Sequence, residues 1–166
     1  MPYPEDLLEQ ARHLARREST RPRQASLRRA VSTAYYALFH LLIAETVKNW
    51  KRPAERFMLS RMFEHSHMGK TCATRRDTLR AYFNTDPPPS LQLDVHEHLY
   101  VIVGTFAKML QHRHAADYDG SIKWTRTDTL DKIDSVQAAF LSLEAIRTGH
   151  DAQNFLVTLL LRERKA

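Results

Sequence analysis

The chain has 166 residues, 43% of them hydrophobic and 27% charged, which is the range of a single globular domain with a real core. One cysteine, Cys72, excludes an internal disulfide framework and any CxxC metal or redox site. The N-terminal residues are partly acidic and lack the apolar segment of a signal peptide. The uncharged stretch 30–44 is shorter than the ~20 apolar residues of a membrane helix. We therefore expect a cytoplasmic protein that does not enter the membrane.

The net charge is +6, and the excess lies near the N-terminus. Residues 11–30 contain one Glu and seven arginines, namely Arg12, Arg16, Arg17, Arg21, Arg23, Arg28 and Arg29. A guanidinium is a planar fork of donors that suits phosphate groups. The cluster predicts nucleic-acid contact through Arg21, Arg23, Arg28 and Arg29, and a solvated helix face is the equally simple alternative.

Apolar residues recur at helical spacing along the chain, and glycine is scarce, so the sequence predicts helices and no strands. Pro4 and the acidic residues after it suit the first turn of the first helix. The expected helices cover about 4–19, 26–50, 54–65, 66–83, 91–114, 127–148 and 151–160. Thr127 or Asp128 is expected to cap the sixth helix, Gly149 to follow its C-terminus, and Asp151 to cap the seventh. The predicted fold is an all-α, antiparallel helical bundle of four core helices plus short accessory helices, in one domain over 1–166.

The long second helix carries a polar line beside its apolar face. Arg29, Tyr36 and His40 are spaced by seven and four residues, which places them on one side of a helix. They predict either a binding ridge, with Tyr36 part of a nucleic-acid surface, or half-buried edge residues with satisfied hydrogen bonds.

Arg113 falls on the apolar stripe of the fifth helix, seven residues after Phe106. A charge on the core-facing side needs a partner, and Asp117 or Asp119 is close enough in sequence to supply it. In the simplest interpretation, Arg113 caps the last carbonyl groups of its helix and pairs with one of these aspartates, which suffices to explain its presence. With Tyr118 and His40 nearby, the same arginine could instead hold a phosphate.

Metal and cofactor sites are not predicted. The histidine pairs 65/67, 96/98 and 112/114 are two residues apart, so on a helix their side chains diverge. The chain has no HExxH, glycine-rich phosphate loop or GxSxG motif. Cys72 has no activating neighbour in sequence and is expected to be a buried, inert thiol.

Three blocks taken together are similar to one family. The blocks are RRAVSTAYYALFHLL (28–42), EHSHMGKT (64–71) and RHAADYD (113–119), and they resemble the HEPN superfamily, in particular small stand-alone bacterial HEPN-domain proteins. The resemblance covers about 26–147. It implies a HEPN-type bundle, a homodimer, and one of two activities. The first is metal-independent RNA cleavage by a toxin or phage-defence component. The second is non-catalytic binding of RNA, a nucleotide or a nucleotidyltransferase partner, as in antitoxin-type pairs.

Active members carry Arg, four to six residues, then His near the end of a late helix. Here Arg113 matches the arginine, but Tyr118 stands where the histidine is expected. The resemblance implies that Arg113 binds the scissile phosphate. Our hypothesis for a ribonuclease adds Arg29 as a second phosphate contact and His40 or His65 as the general acid or base in place of the missing histidine. Tyr118 and Asp117 are its expected orienting groups.

Overall fold

The computed structural model of the protein describes residues 2–85 and 93–162. Within these ranges the chain forms seven helices and no strand, packed as a helical bundle. The helices are α1 (Tyr3–Ala15), α2 (Gln24–Val47), α3 (Pro53–Ser60), α4 (His65–Phe83), α5 (Leu93–Tyr118), α6 (Arg126–Ile146) and α7 (His150–Thr158). The predicted fold class is confirmed at this level. The predicted loop around the three consecutive prolines lies mostly outside the described residues.

α2 and α5 form the centre of the bundle. α2 packs against α1, α5 and α6, and α5 also packs against α4. The two central helices run in opposite directions, since Arg28 at the start of α2 reaches Ala116 near the end of α5, whereas Tyr35 further along packs on Phe106. Tyr35 and Phe106 have no exposed surface, as befits their place on the two apolar stripes.

By length and composition alone, α2 is the described helix that could cross a membrane. A core helix of a bundle meets the same criteria, and more than half of its most apolar part is buried inside the protein. The apolar residues of α2 are part of the hydrophobic core, where they pack against α1, α5 and α6.

Several predicted boundaries were wrong. α5 runs to Tyr118 rather than to 114, so Asp117 and Tyr118 are helical residues and not part of a loop. The helical propensity of Ala115 and Ala116 favours this extension, and Arg28 binds the carbonyl groups at the helix end.

The caps of the last two helices also differ from expectation. Thr125, not Thr127 or Asp128, caps α6, and its hydroxyl accepts a hydrogen bond from the Asp128 amide. Gly149 has φ −77°, so it is not in the left-handed conformation of a glycine that ends a helix, and it is the N-cap of α7. Asp151 lies in the first turn of α7 rather than at its cap.

Candidate active site

A hydrogen bond joins α2 to the first residue of α4. The phenol oxygen of Tyr35 lies 2.7 Å from Nδ1 of His65. Burial raises the pKa of the Tyr35 phenol, so it stays protonated at neutral pH, and Arg113 opposes this shift only in part. A neutral phenol can donate to the imidazole or accept from it, depending on which ring nitrogen carries the proton.

The His65 ring also contacts two aromatic side chains of α2. It stacks on Phe39 with ring centroids 4.1 Å apart and meets the edge of Tyr36 at 5.8 Å. Partial burial lowers the pKa of His65, and the positive charges of Arg113, His40 and His114 lower it further. His65 is therefore a neutral imidazole at physiological pH and is suited to accept a proton.

Arg113 projects from α5 onto the same aromatic surface. Its guanidinium carbon lies 5.4 Å from the centre of the Tyr36 ring and 5.9 Å from that of Tyr35. Its Nε donates to a carboxylate oxygen of Asp117 at 3.1 Å, and the two side chains are 15% and 20% exposed. The predicted Asp117 partner is confirmed, and Ser32 donates to the same oxygen at 3.4 Å. Asp119 instead binds Ser121.

His40 lies at the edge of this cluster. Its ring is 6.3 Å from Tyr36 and 5.0 Å from Tyr3 on α1. Burial lowers its pKa. His40 also lines a cleft of about 290 Å³ between α1, α2 and α3, whose rim includes Arg56 and Phe57.

Tyr118 stands apart from the cluster, although it was expected to orient the arginine. Its side chain is 75% exposed, and its ring is 6.1 Å from that of His114. His114 follows Arg113 directly and is exposed. The charge of His114 nevertheless contributes to the lowered pKa of His65. An exposed position one residue along a helix still allows a long-range electrostatic contribution.

The arginines predicted to bind nucleic acid fall into two groups. Arg28 is partly buried, and its guanidinium donates to the carbonyl oxygens of Ala116, Asp119 and Ile122 at 2.6–2.9 Å. It therefore fixes the end of α5 and the loop after it. The exposed arginines around the α1–α2 junction form a basic surface that we call the arginine patch: Arg16, Arg17, Arg21, Arg23 and Arg29.

Residues that the sequence reasoning missed are Tyr35, Phe39 and Ser32. All three are buried and lie on the core-facing side of α2. A tyrosine within an apolar stripe was a usable signal, because a buried phenol requires a hydrogen-bond partner.

The described residues contain no group of three or more His, Cys, Asp or Glu side chains placed to hold a metal ion. Cys72 is fully buried, and burial raises the pKa of its thiol, as expected of an inert cysteine.

A scan against protein-family models, a search of curated proteins and a search of solved structures each found no match.

The imidazole of His65, the guanidinium of Arg113 and the phenol of Tyr35 lie together where α2, α4 and α5 pack against one another. The imidazole can take a proton, and the guanidinium can compensate negative charge on a phosphate. Together these groups can support phosphodiester transfer without a metal.

Proposed function

We propose that the protein is a HEPN-like, RNA-interacting protein that cleaves RNA without a metal ion, through Arg113 and His65. One observation carries the proposal. Tyr35 is hydrogen-bonded to His65, and the Arg113 guanidinium lies over the ring of the same tyrosine. A proton acceptor and a phosphate-binding cation therefore both contact Tyr35. In this proposal Arg113 is the arginine of the family pattern. His65 of α4 replaces the histidine that the pattern would place at position 118.

In the proposed reaction His65 is the general base. Its Nδ1–H donates to the Tyr35 oxygen, which leaves the Nε2 lone pair free to take the proton of a ribose 2′-hydroxyl. The 2′-oxygen attacks the adjacent phosphorus, and Arg113 stabilises the added negative charge. The bond to the 5′-oxygen breaks, and that oxygen takes a proton from water. The hydroxide that remains takes the proton held by His65, which returns the imidazole to its neutral form. The products are a 2′,3′-cyclic phosphate and a 5′-hydroxyl end.

The arginine patch supplies the RNA-binding surface in this proposal. Arg29 lies on the same side of α2 as Tyr36 and His40, as the spacing predicts, so a backbone bound at the patch is led along α2 toward Arg113. Phosphate contacts of this kind give affinity and strong salt dependence rather than sequence specificity.

We place the dimer contact implied by the family resemblance on α3 and the turn after it. Phe57, Met58 and Met62 are each more than 60% exposed. α3 has no buried residue of its own, and its main packing partner among the described elements is α2. Exposed apolar side chains at this density are typical of an interaction surface. Phe57 also lines the cleft that contains His40, so this contact would border the candidate site.

The test is incubation of purified protein with end-labelled tRNA and a structured mRNA in excess EDTA. Wild-type protein is expected to cleave, and the His65→Gln and Arg113→Ala variants to lose the activity by about 100-fold or more. His13→Gln is the matched control, because His13 is exposed on α1. Cleavage that survives in His65→Gln contradicts the assignment of the base, and RNA that stays intact with folded wild-type protein contradicts the activity.

A second function is favoured by the contacts of Arg113 itself. The Arg113 guanidinium already pairs with Asp117 and lies over the rings of two tyrosines. These contacts are sufficient to give it a purely structural role. In this reading the protein is a non-catalytic binding module, either for RNA or a nucleotide or as the partner of a nucleotidyltransferase. Salt-sensitive retention of intact RNA would support RNA binding, and co-purification of a nucleotidyltransferase would support the partner role.

A further inference from the structure

A second basic site lies on a face of α5 that includes neither Phe106 nor Arg113. It is a cleft of about 250 Å³ between α4, α5 and α6. Four cationic side chains from all three helices line it: Arg76, Arg80, Lys108 and Lys132.

The charge of this cleft is poorly compensated. No carboxylate lines it. Asp77 pairs with Arg76 at 3.1 Å and also lies near Arg80, which hydrogen-bonds to the Tyr100 hydroxyl. Lys132 lies 5.3 Å from the centre of the Trp124 ring and donates to the Asp128 carbonyl oxygen at 3.4 Å. Among the described residues, Arg80, Lys108 and Lys132 therefore form no salt bridge with a carboxylate. The pKa of His112, also in the lining, is lowered by burial and by the charges of Lys132 and Lys108. An anion bound between these side chains would offset their mutual repulsion.

The floor of the cleft is kept open by a glycine. Gly104 lies in the middle of α5, where glycine is unfavourable by about 1 kcal/mol relative to alanine. A Cβ built at Gly104 meets no atom within 4 Å, so close packing between helices does not explain the residue. The open space instead lets a ligand approach the helix backbone between the cations.

The remaining lining suits a phosphorylated organic molecule. Tyr100, Thr105 and Ser135 bring hydroxyl groups, whereas Val101 and Met109 add apolar surface. Small-ligand sites have this composition, with a few polar groups that fix orientation beside an apolar wall.

We propose that this cleft binds a small molecule carrying a diphosphate group, held by Arg80, Lys108 and Lys132 above Gly104. These three side chains form no salt bridge with a carboxylate in the described residues, and their charge of +3 matches that of a diphosphate at neutral pH. A concave site between three helices suits a small ligand better than a continuous RNA backbone, which we assign to the arginine patch. The proposal is independent of the RNA cleavage proposed above.

The test is isothermal titration calorimetry with pyrophosphate as the probe, and with sulfate as the comparison anion. We expect one pyrophosphate per chain, bound more tightly than sulfate. Lys108→Gln and Lys132→Gln should each weaken binding by about tenfold, because each removes one charge-assisted contact. Gly104→Leu should abolish binding without changing any charge, since its side chain fills the floor. Lys70→Gln is the matched control, because it removes an exposed charge from α4 outside the cleft.

Arg113→Ala should bind pyrophosphate as wild type does, which separates this site from the candidate active site. The proposal is overturned if wild-type protein binds pyrophosphate no better than sulfate, or if Lys70→Gln weakens binding as much as Lys108→Gln. It is also overturned if Gly104→Leu, folded by circular dichroism, still binds pyrophosphate. Loss of RNA binding in Gly104→Leu, with pyrophosphate displaced by RNA, would assign the cleft to the RNA path instead.

Discussion

Tyr35 and His65 are thirty positions apart in the chain, and their side chains meet at 2.7 Å across the junction of α2 and α4. The contact links the most buried aromatic residue of the candidate site to its partly exposed imidazole. It orients the His65 ring without placing another charge beside it, because the phenol is neutral.

Tyr35→Phe removes this hydrogen bond and keeps the ring. We expect a loss of about 1 kcal/mol in the free energy of unfolding, measured by urea denaturation, since His65 can still reach water. RNA cleavage should fall while RNA retention on a filter stays unchanged, because His65 loses its orientation but the arginine patch is intact. Tyr36→Phe is the control for loss of a phenol in the same cluster. Equal cleavage by Tyr35→Phe and wild type would show that the bond has only a structural role.

Arg113→Gln tests whether the arginine acts electrostatically on His65. Arg113 is the largest cause of the lowered His65 pKa after burial, so its removal should raise that pKa. The measurement is an NMR titration of the histidine ring protons. Arg17→Gln is the control, because Arg17 is exposed and is not among the charges that lower the His65 pKa. An unchanged His65 pKa in Arg113→Gln would contradict the assigned proximity of the two side chains.

The sequence predicted the helices and the pairing of Arg113 with Asp117, because both follow from local periodicity and from the cost of a buried charge. It did not predict that Tyr35 would meet His65. That contact depends on how α4 begins against α2, and no spacing along one helix encodes the angle between two helices. The role of Arg28 was missed for a similar reason. It was placed in the basic cluster by composition, whereas the structure uses it to bind carbonyl groups some 90 residues later in the chain.

The stability of the protein should fall between pH 7 and pH 5. The pKa values of His40, His65 and His112 are lowered in the folded state, mainly by burial. Below pH ~6.5 the unfolded chain takes up protons that the folded chain does not, so the free energy of unfolding decreases as pH falls, by at most about 1.4 kcal/mol per pH unit for each histidine. Urea denaturation across this range measures the slope. His65→Gln should reduce it, and His13→Gln should not; an equal slope in His65→Gln and wild type would refute the assignment.

Gly69→Ala should destabilise the α4–α5 contact. A Cβ at Gly69 would lie 2.5 Å from Cδ2 of Leu110, so the leucine must change position in a packed interface. We expect a loss of about 1–2 kcal/mol, as for other overpacked cores, despite the better helix propensity of alanine. Gly104→Ala is the matched control on the partner helix, and it should stabilise the protein because its Cβ enters open space. Thermal denaturation of both variants gives the comparison, and a Tm for Gly69→Ala at or above that of wild type would contradict it.

Arg28 and Arg29 are neighbours on α2, but we expect Arg28 to contribute to stability and Arg29 to contribute to RNA binding. Arg28→Ala removes the hydrogen bonds to three carbonyl groups at the end of α5, and we expect it to cost about 2–3 kcal/mol of unfolding free energy. Arg29 is exposed, so Arg29→Ala should leave stability within about 0.5 kcal/mol of wild type. If Arg29 contacts an RNA phosphate, its removal should instead weaken RNA binding and reduce the slope of log K against log salt concentration by about 0.7. Denaturation and a salt series of binding isotherms measure the two effects separately. A salt slope unchanged in Arg29→Ala and in Arg21→Ala would remove the arginine patch from the RNA-binding surface.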